Sequence, residues 1–189
     1  MEFYKVSPGD KIEFIYNSNK IEGIDHSPQL IARRFKMPEV TGHIDAFDYM
    51  VKNCKKDLTE NHILKMHKLL TKSLVEEKYN GRYRNCMVYI GGRCGELPIA
   101  IKPKMIGLID LAKKAITEKD CWAIHDEFEI IHPFVDGNGR VGRLILNWLR
   151  LKNKLPFEII QFDDRFEYYN KIEGYRIKEM VKRKIGEEI

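Results

Sequence analysis

The stretch that decides the fold is His132-Pro133-Phe134-Val135-Asp136-Gly137-Asn138-Gly139-Arg140-Val141-Gly142-Arg143. Its Asp-Gly and Asn-Gly pairs are typical of hairpin turns, but the flanking sequence favours helices. Apolar residues recur every three or four positions on both sides, upstream at Ile124, Phe128 and Ile131 and downstream at Val141, Leu144, Ile145, Trp148 and Leu149. Pro133 disfavours helical geometry at His132. The pattern therefore predicts a helix that ends at His132, a short polar loop and a second helix.

The loop is suited to holding an anion. Gly137 and Gly139 permit backbone conformations that direct several N–H groups at one point. That point lies at the positive end of the second helix dipole, which favours a phosphate. Arg140 and Arg143 are three residues apart, so both guanidinium groups can reach the same side of the anion.

Two further residues of the loop have reactive side chains. Asp136 is the one carboxylate there, placed to hold a hard cation such as Mg²⁺ against phosphates. His132 is the nearby group that can take a proton near neutral pH. Phe134 is apolar between polar neighbours and is expected to anchor the loop in the core. A structural turn whose histidine and arginines only cap helices is the alternative interpretation.

These residues fill every fixed position of His-x-Phe-x-Asp/Glu-Gly-Asn-Gly-Arg-x-x-Arg, and the chain thereby resembles the Fic family. The resemblance runs from Ser18 to the last helix. It implies one all-α, Fic-like domain over residues 1–189, with a small β-hairpin flap at 83–101 and an active-site loop at 132–143. The implied activity is protein AMPylation, the transfer of AMP from Mg-ATP to a hydroxyl side chain of a target protein.

The resemblance also implies a role for each residue of the loop. His132 would remove the hydroxyl proton before attack on the α-phosphorus, and Asp136 would hold Mg²⁺. The nucleotide, ATP, would be bound by Gly137, Asn138, Gly139, Arg140 and Arg143. Related proteins transfer other phosphate-containing groups, act as kinases or remove AMP. The intact Gly-Asn-Gly-Arg run favours AMPylation over the Doc-like kinase variant. A non-catalytic, nucleotide-responsive binding module is the alternative from another class.

A second motif lies near the N-terminus. Ser18 is a suitable N-cap and Gly23 a suitable stop for a helix of little more than one turn over residues 18–23. Glu22 would lie at the C-terminal end, where the dipole does not favour a carboxylate, so we expect a cationic partner. The stretch resembles the inhibitory Ser/Thr-x-x-x-Glu-Gly/Asn motif of many Fic proteins. There the glutamate pairs with the second signature arginine, here Arg143, and blocks productive ATP binding. An exposed capped turn is the alternative.

Part of this motif recurs near the other end of the chain. Asn170-Lys171-Ile172-Glu173-Gly174 repeats the five residues that end at Gly23. Tyr169 stands where Ser18 stands, so the capping hydroxyl is lost. We therefore expect Glu173 to occupy a solvated position on a terminal helix. Tyr168 and Tyr169 resemble the C-terminal tyrosines of the family and are candidates for a nucleotide pocket, with core packing as the alternative.

The rest of the chain is predicted to be helical, apart from one hairpin. Helices are expected over about 28–35, around 44–51, from Thr59 through Leu74, over about 104–116 and over about 163–184. The apolar runs 87–90 and 98–101, separated by glycines, predict the hairpin. Its unpaired edges can accept an extended peptide, and the resemblance implies that such a flap positions the target protein. His62 and His67 are expected at the surface or the edge of the core.

Composition limits the remaining functions. The chain has 189 residues and a net charge of +5, with lysines spread along it, which favours a solvated surface over a nucleic-acid site. No apolar run reaches the length of a membrane span, and the N-terminus lacks a signal pattern. Four scattered cysteines show no metal-ligand spacing. We expect a cytoplasmic protein whose partners are ATP and a protein substrate docked on the flap, with self-modification as a further possibility.

Overall fold

Eight α-helices and one small hairpin make up the part of the chain that the computed structural model describes, residues 5–34 and 36–186. The helices are α1 (Pro8–Ile21), α2 (Pro28–Ala32), α3 (Pro38–Asn53), α4 (Glu60–Leu70), α5 (Pro98–Lys114), α6 (Glu118–Ile131), α7 (Asn138–Lys152) and α8 (Arg165–Gly186). A short 3₁₀ turn, Phe162–Asp164, precedes α8. The strands β1 (Tyr89–Ile90) and β2 (Arg93–Cys94) pair antiparallel, with Tyr89 opposite Cys94. The predicted all-α class with a small hairpin is confirmed.

Helix α7 is the centre of the molecule. It packs mainly against α6 and also contacts α1, α3 and α4. Its apolar residues are buried nearly all round, and Trp148 is among the largest fully buried side chains. A helix that is buried on all sides is the core element of its domain. The first turn of α7, which follows the polar loop, is therefore held in place by the whole helical assembly.

Helix α1 is longer than the sequence pattern predicted. It begins at Ser7, whose side chain forms a reciprocal capping box with Asp10, and Pro8 occupies the first helical position. Ser18 therefore lies inside a 14-residue helix, and its predicted role as the N-cap of a one-turn helix is wrong. Gly23 follows the helix with a φ of +79°, the left-handed conformation typical of a helix stop.

The hairpin is smaller than predicted. Residues 98–101, expected to form its second strand, are instead the first turn of α5, which starts earlier than the predicted 104. Proline at the first helical position lacks the N–H that a helix leaves unpaired there, so Pro98 begins α5 despite the β-prone isoleucines that follow. Of the other predicted helices, Thr59 caps α4 as expected, but that helix ends at Leu70, before Leu74.

Two more predicted elements differ at their ends. Ser27 caps α2, which ends at Ala32, and Phe35, where the prediction ended, lies outside the described residues. The last helix starts at Arg165, after the 3₁₀ turn. Across 5–34 and 36–186 none of the helices combines the length and apolar character that crossing a membrane requires.

Candidate functional site

His132 lies at the end of α6, as the proline rule predicted. It follows the last helical residue with φ +49°, and its N–H donates to the carbonyl of Phe128 at 2.9 Å. Nδ1 lies 3.2 Å from the carbonyl oxygen of Glu129, so Nδ1 carries the proton and donates it there. The lone pair of Nε2 is then available. Burial lowers the pKa of His132, which keeps the imidazole neutral near pH 7 and able to accept a proton.

Arg84 holds the backbone of this histidine. Its Nε donates to the carbonyl of His132 at 2.8 Å, and its two terminal nitrogens donate to the carbonyls of Cys86 and Glu96, each at 2.7 Å. The last two residues flank the hairpin, so one buried guanidinium joins the base of the hairpin to the loop at 132–143. The sequence analysis missed Arg84, and no local pattern around it indicated the contact.

Asn138 and Phe134 fix the shape of the loop. The Asn138 side chain accepts from the Phe134 N–H and donates to the Phe134 carbonyl, both at 2.9 Å. Phe134 is fully buried, as predicted. Gly137 precedes α7 with φ +77°, a conformation that glycine adopts without strain. Both polar atoms of the Asn138 side chain are thus bonded within the loop. The predicted contact of Asn138 with a nucleotide would therefore be made by its backbone N–H.

His67 supports the loop from α4. Its ring stacks on Phe134 with the centroids 3.8 Å apart, Nε2 donates to the carbonyl of Asp136 at 3.1 Å, and Nδ1 accepts from the N–H of Gly81 at 3.0 Å. Burial lowers the pKa of His67 to about 4. Its predicted place at the surface or core edge is wrong. The helical spacing from Ile63 to His67, one turn, was a signal that the two share the buried face.

Asp136 has a different environment from its neighbours. Its side chain is 56% exposed, and one oxygen lies 3.2 Å from Nη2 of Arg140. Among the described residues no group of three or more histidine, cysteine or acidic side chains is arranged to hold a metal. A single exposed carboxylate nevertheless fits Mg²⁺, which commonly binds through one or two carboxylates, several waters and the phosphates of a substrate.

Arg140 and Arg143 have unused hydrogen-bond donors. Both side chains are nearly fully buried. Nε and Nη1 of Arg140 and Nη1 of Arg143 have no hydrogen-bond partner in the described part of the chain. A buried donor left unpaired is costly, and an anion is the ligand that relieves two adjacent guanidinium groups. The first turn of α7 therefore presents donors that suit a phosphate, and phosphate binding there stays a prediction.

Glu22 occupies part of this anion site. Its Oε1 lies 2.6 Å from Nη2 of Arg143. The same guanidinium donates to the hydroxyl and the carbonyl of Ser18, each at 2.9 Å. A Cβ atom on Gly139 would overlap the Glu22 carboxylate, so that carboxylate lies directly against the start of α7. Burial alone would lower the pKa of Arg143, but the charge and hydrogen bond of Glu22 together with the nearby Tyr168 and Glu129 more than offset this, and the pKa is raised. The predicted partners thus lie together.

A cavity of about 530 Å³ opens over these groups. His132, Gly139, Arg143 and Glu22 line one side, and the flap and α8 line the other. Tyr168 and Tyr169 both contribute to its wall. Tyr168 is buried as well, with its hydroxyl 3.0 Å from Nε2 of His125. A volume of this size falls in the range of small-molecule sites.

Glu173, the repeat of Glu22, has another role. It is partly exposed and pairs with Arg176 on its own helix and with Nη2 of Arg93 on the flap, the latter at 3.3 Å. Its carboxylate lines the cavity but forms no bond with Arg143. The expected solvated position is therefore only partly right, because Glu173 also joins α8 to β2.

Comparisons with known proteins point to the Fic family. The Fic/DOC family model matches residues 57–149. The chain is 27% identical to "Protein adenylyltransferase Fic" of Nematostella vectensis over 181 residues, which cover 83% of this chain and 41% of the relative. It is 33% identical over 96 residues to a Fido domain-containing protein of Dictyostelium discoideum, covering 47% of this chain and 66% of that protein. The chain thus spans about two fifths of the Nematostella relative.

Solved structures resemble the fold over most of the chain. A Fic domain containing signaling protein from Bacteroides thetaiotaomicron superimposes with a TM-score of 0.74 at 24% identity, covering 86% of this chain and 70% of that one. Fic-1 from C. elegans gives 0.74 at 23% identity, covering 86% and 54%. The chain therefore has the fold of these Fic-domain structures, and the matched segment together with the Fic-named relatives supports its assignment to the Fic family.

Proposed function

We propose that this protein is an adenylyltransferase that moves AMP from ATP to a hydroxyl side chain of a target protein. The observation that carries the proposal is the position of His132 beside an anion site. A neutral imidazole with a free Nε2 shares one cavity with Arg143 and the start of α7. Attack of an oxygen nucleophile on a bound phosphate needs these parts, a base and a preorganised group of donors for the charge.

Each residue has one task in the proposed reaction. Nε2 of His132 removes the proton of the target hydroxyl as that oxygen attacks the α-phosphorus. The bond from the α-phosphorus to the bridging oxygen breaks, and pyrophosphate leaves. The N–H groups of Gly137, Asn138 and Gly139 with the guanidinium of Arg140 bind the phosphates, and Arg143 binds the terminal one. Mg²⁺ held by Asp136 would supply counter-charge to the phosphates.

The same site suggests that Glu22 inhibits the enzyme. Its carboxylate uses the Arg143 donor that the terminal phosphate of ATP requires, and the two cannot use that donor at once. While Glu22 remains, ATP binds without this contact or with its α-phosphate turned away from His132. Ser18 keeps two bonds to Arg143, so removing the Glu22 carboxylate leaves the guanidinium in place.

The flap is the proposed docking site of the target. Tyr89, at the start of β1, is 77% exposed, and the hairpin has two residues a strand, so its edges are open to an added strand. Arg84 fixes the base of the flap relative to His132, which would present an extended segment next to the base. Self-modification is proposed as a side reaction, when a hydroxyl of another copy enters the same place.

Two assays test the proposed reaction on wild type, Glu22→Gly and Glu22→Gly with His132→Asn. Incubation with ATP and Mg²⁺ followed by intact-mass analysis detects self-modification. Incubation with cell-extract proteins and α-labelled ATP detects transfer of AMP to other proteins. We expect label in the Glu22→Gly reaction, less in wild type, and about 10²–10⁴-fold less when Glu22→Gly also carries His132→Asn, since asparagine tolerates the left-handed conformation of residue 132 but is no base. Label that persists undiminished in the His132→Asn reaction would contradict the mechanism.

A further inference from the structure

Glu129 is a buried acid at the side of the cavity that the proposed reaction does not use. Its side chain is 10% exposed, and it lines the same 530 Å³ cavity as His132. Its Oε1 has no hydrogen-bond partner in the described part of the chain. His125 is the nearest basic group, with Nε2 at 3.9 Å, but that nitrogen is already bonded to the hydroxyl of Tyr168. A buried polar atom without a partner next to a cavity indicates a ligand contact.

The position of Glu129 relative to Glu22 indicates which ligand group it meets. A Cβ on Gly142 would overlap the Glu129 carboxyl, just as one on Gly139 would overlap the carboxylate of Glu22. Positions three apart on a helix lie about 5–6 Å from each other on one face. The two acids thus lie side by side along α7, next to Arg143. An anion that displaces Glu22 from Arg143 comes within reach of Glu129.

The charge state of Glu129 suits such a contact. Its pKa is raised to about 8, chiefly by burial, with Arg143 lowering it and the carboxylates of Glu22 and Asp126 raising it. The other titratable groups around it, His125 and His132 on α6 and Tyr168 on α8, are held neutral near pH 7, because burial lowers the pKa of each histidine and raises that of the tyrosine. Near pH 7 Glu129 therefore carries a proton, and it can donate to an anion that a carboxylate would repel.

We propose that Glu129 is a specificity-determining residue that recognises the terminal phosphate of a nucleoside triphosphate, donating its carboxyl O–H to the phosphate oxygen that replaces Glu22 at Arg143. The proposal rests on the function proposed above, since it takes ATP as the ligand of the cavity. The terminal phosphate would then accept from two donors, the neutral carboxyl of Glu129 and the charged guanidinium of Arg143. AMP has no terminal phosphate at that place, so Glu129 favours ATP over AMP.

Calorimetric titration with ATP and AMP tests the proposal without requiring turnover. Glu22→Gly is the parent, because the competing carboxylate is gone, and it is compared with Glu22→Gly carrying Glu129→Met or Glu129→Gln. Losing a hydrogen bond to a charged group typically weakens binding about 10- to 100-fold. We expect the methionine variant to lose that much affinity for ATP and to keep its affinity for AMP. The glutamine variant, which retains a neutral donor, stays within a few-fold of the parent.

The dependence on pH provides a second measurement. Removing Glu22 takes away a charge that raises the pKa of Glu129, so Glu129 ionises at a lower pH in the ligand-free parent than in wild type. The parent's affinity for ATP should fall as Glu129 ionises with rising pH, whereas the glutamine variant shows no such fall. This comparison holds even if the methionine variant fails to fold. Equal ATP affinity in all variants, or an equal loss for ATP and AMP, would refute the role of Glu129 and leave AMPylation standing. Absence of ATP binding by Glu22→Gly itself would overturn both proposals.

Discussion

Replacing Glu22 by glycine should make the protein less stable and more active. Removing one partner of a buried ion pair typically costs about 3–5 kcal/mol. Glu22 is 29% exposed and Arg143 keeps its two bonds to Ser18, so we expect a smaller loss. We take it as about 2 kcal/mol, the range of a hydrogen bond to a charged group. For a chain of this size that lowers the melting temperature by about 4–8 °C.

The same interaction sets the gain in activity. ATP must break the pair before its terminal phosphate reaches Arg143, and about 2 kcal/mol corresponds to about a 30-fold change in an equilibrium constant. We therefore expect AMP incorporation at subsaturating ATP to rise about 30-fold in Glu22→Gly. The assay is transfer of label from α-labelled ATP, with melting measured on the same samples with and without nucleotide.

Two matched variants sharpen this prediction. Glu22→Gln retains the size of the side chain but not its charge, and should fall between wild type and Glu22→Gly. Glu173→Gly removes the repeated glutamate, which contacts Arg93 and Arg176 instead of Arg143, and should not activate. Activation by Glu173→Gly alone would show that the inhibitory contact lies on α8. If neither glycine variant gains activity, the Glu22–Arg143 pair is structural only.

Three further predictions concern the loop. His132→Asn should lower AMP transfer by about 10²–10⁴-fold at an unchanged melting temperature. In Glu22→Gly with His132 intact, the rate should stay level down to below pH 6.5, because the pKa of His132 is lowered. A fall in rate that begins above pH 7 would count against His132 as the base. Asp136→Ala should remove most of the rate and its dependence on Mg²⁺, and equal transfer in excess chelator would refute the metal role. His67 alone should contribute about 3 kcal/mol to the loss of stability from pH 7 to pH 4, because its pKa is about 4 in the folded state and the unfolded state binds its proton more readily. Urea unfolding at both pH values should therefore show a fall that is smaller by about this amount in His67→Gln.

The parts of the site that follow local rules were predictable from the sequence. The end of α6 at His132 follows from the proline after it, and the two arginines follow from helical spacing at the start of α7. The pairing of Glu22 with Arg143 was expected from the family motif rather than from local pattern, since 121 residues separate the two.

The parts that depend on distant contacts were not predictable. Arg84 bonds the carbonyl of a residue 48 positions away, and nothing in its neighbourhood in the sequence encodes that partner. Glu129 was overlooked because a single glutamate in an amphipathic helix is usually solvated. The start of α1 was placed at Ser18 instead of Ser7 because both serines have a hydroxyl that can cap a helix. Ser7 caps it because Pro8 follows and Asp10 completes the capping box.

The continuity of α1 has a consequence for how the proposed inhibition by Glu22 would be relieved. Phe14 and Ile15 in the middle of the helix are buried, and exposing either one costs about 1.5–3 kcal/mol, so withdrawing the whole helix would disrupt the core. The final turn is held by Ile21, by the bond from His43 Nδ1 to Asn19 Oδ1 and by the two bonds from Arg143 to Ser18, and releasing it leaves Phe14 and Ile15 buried. We therefore expect the proposed inhibition to be relieved by fraying of the last turn of α1. Single substitutions in this turn would then change the strength of inhibition without moving the rest of the domain.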